Sequence, residues 1–495
     1  MKKIETDVVI VAAGPAGLAA AVTAAERGAK VIVLEKSATT GGTGNMGMGP
    51  FAVNSKLQKV KNVSLTKEQA FKIWMDFTHW RVDARLVSDY INKTASTIDW
   101  LADMGVEWYD VIAYVQGSFF TQHLVKPSSG ARPGPQAAST MFKLMTERAS
   151  DLGVKFYLET PAKKLIKENA RITGVIAEDK SKEEIEIGAK AVILATGGFG
   201  DNPEMIKKYT GYEWGRHVFS HRGPGLVGDG IRMAWEAGAG MEGMNIELTC
   251  HVMAEPPVPG KSMTSFPTIS GAFNQPDLLV NLLGERFMNE EASGNPTYTG
   301  NAVIRQKDHC AWRIFDTLTA RHYESAGFDW INYMNPAPKV QNFESEFKAT
   351  FAESKNIVRA DSLEDLAVKT GINLAGLRST IAEYNRVCET GRDETFHKSP
   401  GFLRPVKQPP FYAGKLIPGG YGTLGGIKIN YKTEAVTENH DPIPGLYAAG
   451  TDANAIYADS YIFIFPGNTM SFALNSGRIA GENAAEYVKT TGKNA

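Results

Sequence analysis

The stretch VVIVAAGPAGLAAA, residues 8 to 21, constrains the fold more than any other part of the chain. A short β-branched run, TDVVIV, leads through a glycine turn into GLAAAVTAAERG, an alanine-rich helical segment closed by Gly28. KVIVLEK then supplies a second strand that ends near Glu35. Strand, turn, helix and strand make one βαβ unit, the context in which a glycine turn can cradle a dinucleotide. Gly14 lets the backbone approach a pyrophosphate, and Gly17 lets helix and strand pack closely. Glu35 is placed to accept hydrogen bonds from a ribose hydroxyl pair. The first slot of the usual G-x-G-x-x-G turn is Ala12. Alanine is tolerable there if φ is negative and strained if the turn is left-handed.

At 495 residues the chain exceeds what one core sustains, so about two or three domains are expected. A net charge of -1 excludes a basic nucleic-acid binder, and no long apolar run suggests a membrane span. Glycine pairs at 41/42, 197/198, 419/420 and 425/426 mark tight turns where backbone meets a ligand, as a large cofactor requires. Cys250, Cys310 and Cys388 are isolated, with neither metal-ligand spacing nor an even disulfide count, which fits a soluble cytoplasmic protein.

Further along, the pattern reads as a polar glycine-rich loop (37–50), a largely helical stretch (66–104), and a helix followed by a strand. A meander then returns to the buried strand AVILA and a second glycine turn at Thr196, Gly197 and Gly198. From about 244 the texture becomes irregular and aromatic, as in an inserted cap. Helical patterning resumes near 362, and IPGLYAAGTDANA reads as a last strand entering a ligand-facing loop.

EKSATTGG (35–42), ILATGGF (193–199), GDGIRMAWEAGA (228–239), NLLGERFMNE (281–290), PGGYGTLGGIKI (418–429) and IPGLYAAG (443–450) follow the βαβ unit in order. In that order the chain resembles the fumarate reductase/succinate dehydrogenase flavoprotein family over essentially its whole length. The resemblance implies an α/β fold: a Rossmann-like FAD-binding domain in two segments, 1–243 and 356–495, with an α+β cap domain, 244–355, inserted between them. Carried over residue by residue, the turn from Ala12 through Gly14, Pro15, Ala16 and Gly17 meets the pyrophosphate, and Glu35, followed by Lys36, the adenosine ribose. Thr40, Gly42, Thr43 and Gly49 lie along the flavin, with Ala162, Ala195, Thr196 and Gly197 on the adenine side and Asp229 nearby. Gly450 and the stretch Asn468, Thr469 and Met470 approach the ribityl chain and isoalloxazine. The family's usual glutamate after YAAG is Thr451, with Asp452 one place later. Members that tether FAD covalently use a histidine in the loop that here reads GGTGNMGMG, so noncovalent FAD is expected.

The resemblance breaks at the substrate. The family's proton-donor arginine falls on Gly294, its relay pair on Ser270 and Phe273, its histidine before TMGG on Gly422 and its second carboxylate-binding arginine on Ile464. A dianion in a closed pocket without such partners loses several kcal/mol per ion, so fumarate and succinate are not the expected substrates. Phe273, Phe463, Ile464 and Phe465 suggest an apolar wall for an uncharged ring, such as an enone. A tyrosine hydroxyl then becomes the natural proton donor or acceptor, as in the related 3-ketosteroid dehydrogenases. Tyr421 is the first candidate, then Tyr461 and Tyr298, each weighed against simple packing. His251 lies where the family has a substrate-contacting histidine, and His123 is a candidate for the flavin's far side. Glu290 and Glu291 read more readily as solvated than as a catalytic pair.

The expected activity is hydride transfer between flavin N5 and a carbon–carbon bond of a mainly uncharged small molecule. No second nucleotide fingerprint is present, so a separate redox partner or electron carrier is expected. A non-catalytic electron-transfer subunit and an oxygen-using hydroxylase are the alternatives.

Overall fold

The computed structural model describes residues 2–221, 223–256, 267–333 and 337–491. Its first sheet has eight strands. Lys2–Val11 lies between Val31–Leu34 and Glu184–Leu194, parallel to both, with Val9 beside Ile32 and Val192. Val8 to Val11 are therefore covered on both faces, which is why this strand is continuously apolar rather than alternating. Lys155–Tyr157 extends the parallel set on one side and Pro442–Ala448 on the other. The meander Ala162–Glu168, Arg171–Glu178 and Glu184–Leu194 forms as its hydrophobic alternation predicts.

The last helix, Asn468–Thr491, lies along the first, Pro15–Glu26. Glycine makes this approach possible: a Cβ on Gly477 would stand 2.2 Å from the Ala16 carbonyl oxygen, and one on Gly481 2.6 Å from that of Ala20. The two chain segments are thereby joined, and at the start of the last helix Met470 packs against Gly47 of the glycine-rich loop.

A second sheet of six strands lies apart from the first. Its long strand, Phe411–Ile427, pairs antiparallel with Met241–Val252, Ala311–Asp316 and Ile357–Ala360, and parallel with Phe219–Ser220. Leu278–Asn281 completes the sheet. The pairing runs past the interval 244–355 on both sides, because a sheet is closed by hydrogen bonds between strands and not by chain order. Phe273, Phe315, Phe343, Phe347, Phe351 and Tyr412 fill the core beneath it. Phe273, expected on the pocket wall, is fully buried in this cluster, 5.1 Å from Phe315 ring to ring. Among the described residues no helix is long and apolar enough to cross a membrane.

Candidate active site

One chamber of about 620 Å³ runs from the first sheet to the second. At the first-sheet end it begins at the glycine turn. Gly14 caps the first helix without any side-chain hydrogen bond, so the helix N-terminus offers free backbone donors and a positive dipole end. A Cβ on Gly14 would meet nothing within 4 Å. On Gly17, outside the chamber lining, a Cβ would lie 1.9 Å from the Ala12 carbonyl oxygen, so only glycine allows this helix–strand approach. Ala12 itself has φ of 84°. The turn is thus left-handed, and alanine occupies it at a steric cost of about 1–2 kcal/mol.

Glu35 is buried at the end of the second strand. Its Oε2 accepts from the Ala13 N–H at 2.7 Å and its Oε1 from the Ser37 N–H at 2.8 Å. Both oxygens keep further acceptor capacity beside the chamber, the donor–acceptor match a ribose diol needs. Lys36 donates to the Gly225 carbonyl and to Asp229, whose Oδ2 is 2.9 Å away, and both residues line the rim. Ala162, Ala195, Thr196 and Gly197 continue the wall, followed by Gly42, Thr43 and Gly49, then Gly450, Thr451, Thr469 and Met470. Gly450, at φ of 66°, could not carry a side chain without one meeting Ala16 at 2.9 Å. These features fit FAD: a helix N-terminus, a carboxylate for the ribose, and backbone that closes on the cofactor wherever glycine allows.

Besides Gly17, three expected contacts lie just outside this wall. Thr40 pairs with Thr146, hydroxyl to hydroxyl at 2.8 Å. Asn468 donates to the Ile462 carbonyl at 3.0 Å and so fixes the loop before the last helix. Asp452 is fully buried and accepts from the Thr196 N–H and hydroxyl and, at 2.8 Å, from the Gly198 N–H. Burial raises its carboxyl above the usual range, against the opposing pull of these bonds. This aspartate, one place after Thr451, shapes the second glycine turn.

The second-sheet end is built from side chains. Three tyrosines line it: Tyr421, Tyr461 and Tyr114. Tyr421 is placed by a β-bulge, since Leu248 pairs with Gly420 and Ile246 with Thr423, leaving one extra residue on the long strand to swing out. Tyr461 is buried, and burial together with the Glu247 carboxylate holds its phenol well above the ordinary range. Tyr114, not among the sequence candidates, packs edge-on against Phe463 at 5.7 Å, and burial raises its phenol too. Tyr298, on helix Pro296–Val303, does not line the chamber. Phe463 joins the wall, whereas Phe465 packs in the core against Trp74 and Ile464 lies partly buried beside it.

His251 lines this end, and burial, reinforced by Arg313, lowers its pKa to about 4. His221, which sequence reading missed, lines it as well. Burial, with His251 nearby, lowers its pKa to about 3. Gly419 makes room for it, since a Cβ there would overlap the imidazole at 1.6 Å. Both histidines are neutral at pH 7. The Trp330 ring covers Gly294, 3.4 Å from where its Cβ would be, and Gln275 clamps the Trp330 backbone through N–H···O bonds of 2.8 and 2.9 Å. A ring thus covers the position at which the resemblance leads one to expect a guanidinium. Among the described lining residues, the charged ones are Glu35, Lys36 and Asp229, all at the first-sheet end.

His123 lies behind the chamber, its Nε2 2.7 Å from Ser55 Oγ, and burial lowers its pKa to about 4. Glu290 is not solvated, as its loop suggested: it is fully buried, gripped by Arg286 at 2.8 and 2.9 Å, and Arg286 also holds Asp393. Glu291 accepts from the Ser399 N–H. An open cleft of about 710 Å³ between Lys61 and Phe120 contains none of the expected site residues.

A family model described as FAD binding domain matches residues 7–461. The chain is 34% identical to vinyl phenol reductase of Lactiplantibacillus plantarum, over 97% of this chain and 96% of that one. It is 29% identical to a fumarate reductase (cytochrome) of Shewanella frigidimarina, over 98% of this chain and 77% of that protein. By fold it is similar to a 3-ketosteroid dehydrogenase from Rhodococcus jostii bound to 4-androstene-3,17-dione, with a TM-score of 0.75 and 24% identity, covering 98% of each chain.

Proposed function

Because the chain belongs to the FAD binding domain family and is an FAD-dependent oxidoreductase acting on carbon–carbon bonds, we propose that it reduces an alkene conjugated to an uncharged aromatic ring. One observation carries the reading: among the described lining residues, charge is confined to the nucleotide end, and the end facing the second sheet holds tyrosines, neutral histidines and Trp330. A ring can be buried there without a counter-ion, and a dicarboxylate cannot. The full-length likeness to a vinyl phenol reductase supports the same substrate class.

FAD, when bound, supplies the hydride. Gly14 and the helix N-terminus behind it hold the pyrophosphate, and Glu35 the ribose. The histidine-free loop from 41 to 49 leaves the cofactor noncovalent. The Trp330 ring and Phe463 exclude water and present the substrate's face. Tyr421, swung out by its bulge and partly open to solvent, gives its hydroxyl proton to the alkene carbon that does not receive the hydride and regains a proton from water. Electrons reach the flavin from a separate carrier. The free cysteines suit a reducing compartment and a cytoplasmic setting.

The test is anaerobic. The FAD-loaded protein is reduced with dithionite and mixed with 4-hydroxystyrene, fumarate or a 3-ketosteroid enone, and flavin reoxidation is followed by absorbance. The expected result is reoxidation by the hydroxystyrene at least a hundredfold faster than by fumarate. Faster reoxidation by fumarate overturns the substrate class, and reoxidation by none of the three favours the electron-transfer alternative.

A further inference from the structure

Most polar groups at the second-sheet end are either free to adapt or already committed to backbone. Asn274 is committed: its amide donates to the Ser270 carbonyl at 3.0 Å and accepts from the Val252 N–H at 3.2 Å. Gln275 is committed to Gly271 and Trp330. Thr249 and Ser270 also line the chamber. A hydroxyl that can rotate takes either a donor or an acceptor and does not discriminate between them.

Ser293 differs. Its hydroxyl donates to the Glu290 carbonyl at 2.6 Å, and its oxygen accepts from Arg313 Nη2 at 2.9 Å. Both partners belong to buried residues. Glu290 is held by the buried Arg286 fork, and Arg313 is a buried residue on strand Ala311–Asp316, flanked by the electrostatic influence of Asp277 and Glu290. Arg313 Nε and Nη1 have no acceptor among the described residues, so the single bond to Ser293 is the hydrogen bond that orients this guanidinium. With its proton directed away and one lone pair taken, the Ser293 oxygen retains one lone pair, and Ser293 lines the chamber next to Gly294 and the Trp330 ring.

We infer that Ser293 is a specificity-determining residue that reads a hydroxyl on the substrate's ring by accepting its hydrogen bond. This rests on the aryl-alkene reading above and refines it. A locked acceptor welcomes an O–H donor and confronts an ether or carboxylate oxygen lone pair to lone pair. The substrate class narrows to hydroxyaryl alkenes.

The test compares kcat/KM for 4-hydroxystyrene, 4-methoxystyrene and styrene, with flavin absorbance per chain confirming that each variant is folded and loaded. The wild type should prefer the hydroxyl compound to either analogue by about tenfold or more. Ser293→Ala should bring the ratio close to one, and Ser293→Thr, which keeps the hydroxyl, should retain the preference. If the wild type reduces all three compounds equally, or Ser293→Ala keeps the preference, this inference is overturned while the aryl-alkene reading stands. If none of the three is reduced, both are overturned.

Discussion

The two ends of the chamber recognise by different means. The first-sheet end works with backbone: Gly14 opens a helix N-terminus, Gly17 admits the helix to its strand, and Gly450 closes against Ala16. The second-sheet end works with side chains, Tyr421, Tyr461, His221, His251, Trp330 and Ser293, delivered by strands and loops far apart in sequence. Backbone recognition suits a constant cofactor, because its donors do not change with side-chain identity. Side-chain recognition leaves the substrate end open to revision, and in this chain that end is lined by rings and neutral histidines within a fold shared with a fumarate reductase.

The sharpest way to break this comparison is to attack the backbone end. Gly17→Val places atoms inside contact distance of the Ala12 carbonyl and should cost more than about 4 kcal/mol, leaving no soluble FAD-loaded protein by flavin absorbance per chain. A loaded, folded variant would show that the turn can be remodelled. At the other end, Tyr421→Phe should preserve flavin content and slow alkene reduction by about a hundredfold or more, whereas Tyr298→Phe should stay within about twofold. Stopped-flow reoxidation measures both, and equal rates for the two variants would remove Tyr421 from the chemistry.

The neutral histidines predict a pH dependence. Burial holds His251 at a pKa of about 4 and His221 at about 3, below the ordinary 6.5. As pH falls below 6.5 the unfolded chain takes up these protons first. Their contribution is therefore full above that value and is lost progressively toward pH 4 and then 3. Each accounts for a loss on the order of 3 kcal/mol. Urea melts of the wild type and His251→Gln between pH 4 and 7 should show a shallower slope in the variant, and parallel slopes would mean His251 is solvated. The smallest effect expected is at Ala12. Removing its left-handed strain with Ala12→Gly, offset by the greater freedom of unfolded glycine, should leave a net gain of about 0.5 kcal/mol in the same melts. A loss would mean that the alanine methyl makes a compensating contact.

The nucleotide end was legible because its determinants are contiguous: strand, turn, helix and carboxylate fall within thirty-odd residues, and the glycine spacing is itself the geometry. Tyr298 illustrates the opposite case. It lies close in sequence to Gly294 but on a helix whose Thr297 and Gly300 face inward, Gly300 against Leu248, so its own side chain takes another direction and does not line the chamber. Tyr114 and His221 went unread because no local pattern marks them. The pair Gly419 and Gly420 carried a usable signal, since a glycine in a strand indicates something packed against it, here the His221 ring.

By itself, then, the sequence determined the βαβ cradle, the family's FAD site, a loop from 41 to 49 that contains no histidine and a glycine at 294, all properties of residue identity at short, fixed spacing. Which side chains line the chamber beside Gly294 was decided only when the second sheet formed. Bulge position, strand register and helix phase set where a side chain points, and these depend on hydrogen bonds and packing between segments hundreds of residues apart.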